Sequence, residues 1–166
     1  MRVEVIDMEQ TKKDAKKCIL KKIPLVSRVF QFNNVISDIK LEYIEFKVLI
    51  YEIISMKKNH KLFRHDIKKE TITMLVNTYN GHSESIDKIP NTSSKYISKE
   101  CIKKSKIEEY DLVDVVKKEI ISHISNRLKN DSLDKVNIEI NIIDIKSIYK
   151  PYWIANFRGR NIFIEN

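Results

Sequence analysis

A short stretch, residues 76–81 with the sequence VNTYNG, constrains this chain most, because it sets a tight turn directly after an apolar run. The stretch holds one of only two glycines among 166 residues. Asn80 and Gly81 both tolerate positive φ at low cost, so the dipeptide favours a turn. Residues 71–76 form a run that is typical of a strand. We therefore predict a strand that ends in this turn, a feature that bears on the fold but indicates no reaction.

The balance of charged residues has two explanations. Thirty-one Lys and Arg residues against 23 Asp and Glu residues give a formal net charge of +8. Such a charge is typical of a protein that binds a polyanion, because clustered cations release counterions from phosphates. Lys, Ile and Asn are also abundant while Ala and Gly are scarce, so a coding bias toward AT-rich codons accounts for the charge as well.

Cysteine usage and hydropathy favour a protein of the cytoplasm. Cys18 and Cys101 show no spacing that suggests a bridge, which predicts reduced thiols in a reducing compartment. Charged residues interrupt the N-terminal segment, so it lacks the apolar centre of a signal peptide. No apolar run approaches the roughly 18 residues that a membrane-spanning helix needs. We therefore expect a cytoplasmic protein with no membrane span.

Apolar residues at helical spacing predict two helices. The first follows a cap at Asp7 or Thr11 and stops at Pro24. The second runs from residue 110 or 111 to residue 129. His123 falls on the apolar face of this second helix, which predicts a histidine in the core or in an interface.

Alternation of apolar and polar residues predicts the strands. Pro151 lies early in one of them and indicates an edge or a bulge there, because proline cannot donate to a ladder. The basic residues 57–69 predict an exposed loop, and the polar residues 81–98 predict the boundary between two domains. The predicted strands cover residues 2–6, 41–54, 71–77, 136–142, 148–157 and 161–165.

The two halves of the chain follow one plan of helix, strand, long strand, turn and strand. Residues 39–46 align with residues 145–152, so that Tyr matches Tyr, and the second half ends where the first begins its turn. The sequence therefore predicts an α+β fold of two repeated modules, each a helix plus an antiparallel β-sheet. The first covers residues 1–97, and the second covers residues 98–166 and lacks the terminal turn.

Three short motifs in the first half form a series. Residues 14–20 contain a helical run with alanine, residues 49–53 form a strand with tyrosine, and residues 76–81 end a strand in a Thr- and Gly-containing turn. This series resembles the PepSY-type module, in which the turn carries Asp at the place of Asn77 here. The resemblance covers most of residues 8–86 and, more loosely, the second half of the chain.

The resemblance implies a PepSY-like or cystatin-like helix packed on a small antiparallel sheet. Modules of this family are generally non-catalytic. Many occur outside the membrane, and some are linked to protease inhibition or regulation. The lack of an export signal in this sequence departs from that setting.

No residue pattern indicates catalysis, a metal ion or a cofactor. The two glycines lie far apart, so no phosphate-binding loop is predicted, and neither cysteine lies in a catalytic signature. His60 and His65 are five residues apart with few carboxylates nearby, which argues against a zinc site. We predict a protein that is not an enzyme, and only a deep pocket joining His123 to a carboxylate would favour catalysis.

Two segments are candidates for binding. An aromatic cluster predicts an exposed edge strand that binds a protein or peptide, or a second copy in a homodimer, unless these side chains anchor the core. Its members are Tyr149, Tyr152 and Trp153.

The densest basic segment predicts a polyanion-binding site, unless it is a solvated hairpin loop. Its members are Lys57, Lys58, Lys61, Arg64, Lys68 and Lys69. The first hypothesis is thus a non-enzymatic protein- or peptide-interaction or regulatory module, and the alternative is a small basic nucleic-acid-binding protein.

Overall fold

The computed structural model is a mixed α+β protein, and it describes residues 1–8, 10–22, 39–59, 64–130, 136–157 and 160–164. Neither helix in these ranges is both long enough and apolar enough to cross a membrane. The elements are β1 (Arg2–Ile6), α1 (Lys12–Lys22), β2 (Lys40–Asn59), β3 (Arg64–Asn77), β4 (Ser83–Ser85), β5 (Thr92–Tyr96), β6 (Ile102–Lys103), α2 (Glu109–Asn130), β7 (Val136–Phe157) and β8 (Arg160–Ile164).

The strands form one eight-stranded, mostly antiparallel sheet. Its path runs β4-β3-β2-β7-β1-β5, with β6 beside β2 and β8 beside β7. The hairpin of β2 and β3 is a long antiparallel ladder that runs from Phe46 opposite Asn77 to Asn59 opposite Arg64. The parallel pairings are short, and β1 meets β7 only where Val5 lies opposite Tyr149.

The chain divides into two compact units that do not follow the predicted boundary at residue 97. Unit 1 consists of Met1–Glu45, Pro90–Lys104 and Ile148–Asn166, and unit 2 consists of Phe46–Ile89 and Ser105–Ser147. Each unit is therefore assembled from segments that are far apart in the sequence. The predicted modules, residues 1–97 and 98–166, differ from these units because β1 pairs with the distant strands β5 and β7, and because β2 and β7 each contribute to both units.

In unit 1, helix α1 packs through its small and branched side chains. Ala15 and Ile19 are fully buried against Ile39, Ala155 and Ile164. The backbone N–H of Asp14 donates to the Thr11 hydroxyl at 3.3 Å, which confirms Thr11 as the predicted cap. Five lysines of the helix are exposed to solvent, namely Lys12, Lys13, Lys16, Lys17 and Lys21. Pro24, the predicted stop signal, lies outside the described residues.

Strand β5 lies within the stretch that the sequence predicts to be a domain boundary. It pairs antiparallel with β1 from Arg2 opposite Tyr96 to Ile6 opposite Thr92. Its hydroxyls also bond to β1 or the residue after it, since Ser93 donates to Asp7 at 2.7 Å. Serine and threonine therefore belong here to a polar strand and not to a linker.

In unit 2, helix α2 covers one face of the sheet. Strand alternation turns every second residue of β2 toward the helix, as for Leu49, Tyr51 and Ile53. The Tyr51 hydroxyl donates to the Val113 carbonyl oxygen at 3.0 Å and so links strand to helix. The buried side chains of this core are Leu49, Tyr51, Ile53, Met74, Val76, Leu112, Val116, Ile120 and Ile140.

The turn after β3 has the conformation that its sequence predicts. Gly81 has a φ of 75°, in the left-handed region that favours glycine. Its N–H donates to the Asn77 carbonyl oxygen at 2.8 Å, and the Asn77 side chain accepts from the N–H of Tyr79 at 2.8 Å. Thr78 is buried, and its carbonyl oxygen accepts the N–H of Lys106 at 3.1 Å. The turn therefore joins two segments of unit 2.

Three strands are longer than the sequence predicts. β2 and β3 continue through residues 57–59 and 64–69, so these residues belong to a hairpin ladder and not to the predicted loop. Strand β7 runs without a break through both predicted strands. Pro151 lies between Tyr149, which pairs with β1, and Trp153, the first residue that pairs with β8. A residue without an N–H is tolerated in that gap between partners.

The buried hydroxyl of Tyr51 gives unit 2 a measurable response to alkali. Burial, with a smaller effect of Asp114, raises the pKa of Tyr51 from 10.0 to about 12. Between these values the unfolded chain loses the proton while the folded protein keeps it, so this residue's stabilising effect falls as pH rises above 10. We expect Tyr51→Phe to be less stable than the unsubstituted protein by about 1 kcal/mol at pH 7. Urea unfolding should show this gap shrinking by about 1 kcal/mol from pH 10 to pH 11. A stability difference between the two proteins that stays the same from pH 10 to pH 11 would contradict this prediction.

Candidate functional site

The predicted aromatic site lies in the packed part of unit 1. Tyr149 and Tyr152 are buried, and the ring of Tyr152 contacts Phe163 edge to face with centroids 6.3 Å apart. Trp153 is partly buried against the α1 core, and its indole N–H donates to the Gln10 carbonyl oxygen at 3.3 Å. Trp153 also lies opposite Ile164 in the β7–β8 ladder. The predicted edge strand at Trp153 is thus paired, and the burial of the two tyrosines matches the alternative interpretation of core anchors.

The predicted polyanion site is only partly within the described residues. Lys68 and Lys69 lie in β3 and are exposed, but each contacts a carboxylate of the same hairpin. Lys68 forms an ion pair with Glu70, and Lys69 forms one with Glu52 at 3.5 Å. Lys61 lies outside the described residues, and the structure describes only the backbone of Lys57, Lys58 and Arg64. The described part of the segment is thus a hairpin of mixed charge.

Residues 136–147 of β7 have a neighbouring strand on at most one side, among the residues that the structure describes. The neighbours of β7 in the sheet are β2, β1 and β8. β1 pairs with β7 only at Tyr149, and β8 pairs with it from Trp153 to Phe157. Neither reaches residues 136–147, which we call the open edge of β7. An edge of this kind presents N–H and C=O groups to a further strand.

The open edge of β7 carries large apolar side chains in solvent. Ile142, Ile143 and Ile145 are 39%, 58% and 36% exposed, respectively. Ile140 on the same strand is buried in the unit 2 core. The strand is therefore packed against the core at this residue, while the three isoleucines that follow are accessible to solvent. Isolated exposed isoleucines are common on proteins, but three within four residues place apolar side chains on both faces of one edge strand.

The outer edge of β3 differs in character. Strand β4 pairs with β3 only from Met74 to Val76, so the preceding part of β3 also lacks an outer neighbour among the described strands. Here Ile67 is exposed, but Lys68, Lys69 and Glu70 follow it directly. Charged side chains of this kind protect an edge strand from pairing. The open edge of β7 also carries Asp144 and Lys146, which pair with each other at 3.0 Å, and it differs from β3 in having three exposed isoleucines beside them.

A cleft of about 340 Å³ lies between helix α2 and strands β3 and β4, within unit 2. Its floor is apolar and consists of Ile72, Met74, Ile120 and Ile124. Its rim is polar and includes Ser83, Ser85, Glu119 and His123. Glu84, between the two serines, also lines the cleft, and strand alternation places its side chain on the opposite side of β4 from that of Ser83.

The rim of this cleft has a defined internal hydrogen bond. The Ser83 hydroxyl donates to the Glu119 carboxylate at 2.6 Å. His123 follows Glu119 by one helical turn, on the same side of α2. His123 is exposed on this rim, so the predicted position in the core is wrong, and a position in an interface stays a prediction. The cleft thus joins His123 and a carboxylate on one rim, the combination that would favour catalysis in a deep pocket, but Ser83 donates to the carboxylate and not to an imidazole base.

The cleft could be anticipated only in part from the sequence. Glu119 and His123 are four residues apart in a strongly periodic helix, which places them on one face. Nothing in the sequence indicated that Ser83 and Ser85 would form the facing strand, because the polar stretch around them carries no alternation of apolar residues. Within the described ranges, no group of three or more His, Cys, Asp and Glu side chains is placed to hold a metal ion.

The chain matches no family model, no curated protein and no solved structure. Its resemblance to PepSY-type modules therefore stays a prediction from the motifs of residues 8–86.

Proposed function

We propose that this protein is a non-enzymatic interaction module that binds an extended segment of a partner protein along the open edge of β7. The observation that carries the proposal is a run of exposed isoleucines on an edge that β1 and β8 leave uncovered. Main-chain hydrogen bonds to such an edge supply affinity, and side chains that alternate along it supply specificity. A non-catalytic role is also what the resemblance to PepSY-type modules implies.

Strand alternation indicates the chemistry of the bound segment. Ile143 and Ile145 project from one face of β7, and Ile142 projects from the other. Side chains directly opposite on a neighbouring strand interact most when both are apolar or branched. We therefore expect a segment with apolar residues at alternating positions beside Ile143 and Ile145 and without proline at its hydrogen-bonded positions.

A cytoplasmic location agrees with the state of the thiols. Cys18 and Cys101 are both free. Free thiols are typical of proteins in a reducing compartment, and we therefore propose that the partner is also found there.

Substitution of one isoleucine tests the proposal. We expect Ile143→Lys to weaken partner binding about tenfold, because a lysine would set a charge against an apolar neighbour strand. Ile67→Lys is the matched control, because Ile67 is also an isoleucine exposed on an edge strand, at 60%. Affinity capture from the native host should recover a protein with the unsubstituted chain and with Ile67→Lys, but much less with Ile143→Lys.

Two further measurements separate the proposal from its alternatives. Nuclease treatment should leave the captured protein unchanged, and its loss would favour the nucleic-acid hypothesis instead. Hydrogen exchange of the purified complex should show new protection of amides within residues 136–147. Protection that appears elsewhere, or a sedimentation profile in which the only partner is a second copy of this chain, would contradict the proposed binding mode.

A further inference from the structure

We propose that the cleft between α2 and strands β3 and β4 binds a small aliphatic amine. The alkyl chain would lie on the apolar floor and the ammonium group would contact Glu119. This site includes no residue of the open edge of β7, so each of the two proposals can be tested without the other.

The size and lining of the cleft indicate a ligand with a short apolar body. A volume of about 340 Å³ is at the lower end of the range for small-molecule sites. Met74 and Ile120 at the floor are buried, and Ile72 and Ile124 are half-buried beside them. An alkyl chain would cover this surface without leaving a polar group unpaired.

The charge of the rim selects the head group. Glu119 is fixed by the hydrogen bond from Ser83, which uses one of the lone-pair sites of the carboxylate. An ammonium group, with three donors and no acceptor, fits the sites that remain. Among the described residues, no lysine or arginine lines the cleft. An anionic head group would therefore meet the negative charge of Glu119 with no lysine or arginine of the lining to offset it, even though the whole chain has a formal net charge of +8.

Three probes with one alkyl chain isolate the role of the head group. Hexylamine, 1-hexanol and hexanoate would each be titrated into the isotopically labelled protein at pH 7.5, and amide shifts would be followed by NMR. We expect shifts at residues 72–74, 83–85 and 119–124, with hexylamine about fivefold tighter than 1-hexanol, the upper end for a partly exposed ion pair. Hexanoate should be the weakest of the three.

Two matched variants locate the interaction. Glu119→Gln keeps an acceptor for Ser83 and should bind hexylamine no more tightly than 1-hexanol. Glu108→Gln makes the same change of charge at an exposed residue that does not line the cleft, and it should keep the fivefold preference. The proposal is overturned if no probe shifts the cleft amides, if hexanoate matches hexylamine, or if Glu119→Gln keeps the preference.

Discussion

Leu49→Ala is expected to lower the free energy of unfolding by about 2–5 kcal/mol, the range for large-to-small substitutions in packed cores. Leu49 is fully buried, lies opposite Met74 in the β2–β3 ladder and belongs to the core under α2. Its truncation leaves a cavity between strand and helix that the paired strands cannot close without disturbing their register. Urea unfolding followed by circular dichroism would measure the change.

The control for Leu49→Ala is Val115→Ala on helix α2. Val115 is 55% exposed, so its truncation should change the free energy of unfolding by no more than about 0.5 kcal/mol. If Leu49→Ala were as mild as this control, the core of unit 2 would not depend on the face of β2 that carries Leu49.

Gly81→Ala is expected to destabilise the protein by about 1–3 kcal/mol for two separable reasons. The φ of 75° places any residue with a Cβ in the left-handed region, at a cost of roughly 1–2 kcal/mol. A Cβ at this position would also lie 2.8 Å from the Cδ1 atom of Ile107, closer than carbon atoms pack. Ile107 packs against the unit 2 core, which limits how far it can move.

A double-mutant cycle separates the two causes at Gly81. Ile107→Val removes the Cδ1 atom, so in that background Gly81→Ala should cost only the backbone strain. Gly81→Asn supplies the complementary case, because asparagine keeps a Cβ but tolerates the left-handed region. Equal costs of Gly81→Ala in both backgrounds would show that the contact with Ile107 is irrelevant.

Local signals in the sequence were sufficient for the secondary structure of several elements. Thr11 and the periodicity after it identified α1, and the apolar stripe through Leu112, Val116 and Ile120 identified α2. The α+β class and the turn at Gly81 are confirmed as well. These features depend on residues within a few positions of one another, so a single sequence is enough to predict them.

The predictions that failed concern strands whose pairing partners lie far away in the sequence. β5 is a polar strand because it pairs with β1, and the first segment of unit 2 lies between these two strands in the sequence. The proline before Trp153 predicts an edge at this position, yet Trp153 pairs with Ile164 of β8. The open edge of β7 was missed for the same reason, since the pattern of residues 136–142 indicates a strand but not which neighbours it has.

The interleaving of the two units sets an order in which the chain can be assembled during synthesis. Strands β2 and β3 are adjacent in sequence, so their hairpin closes a short loop at small entropic cost and can pair soon after both have left the ribosome. Unit 1 includes residues from β1, β5 and β8, and its last segment begins at Ile148. Until that segment is made, Ala15 and Ile19 of α1 have neither Ala155 nor Ile164 to pack against. The nascent chain thus carries an uncovered apolar surface on α1 until Ala155 and Ile164 are made, and a chaperone that recognises apolar surface could bind there.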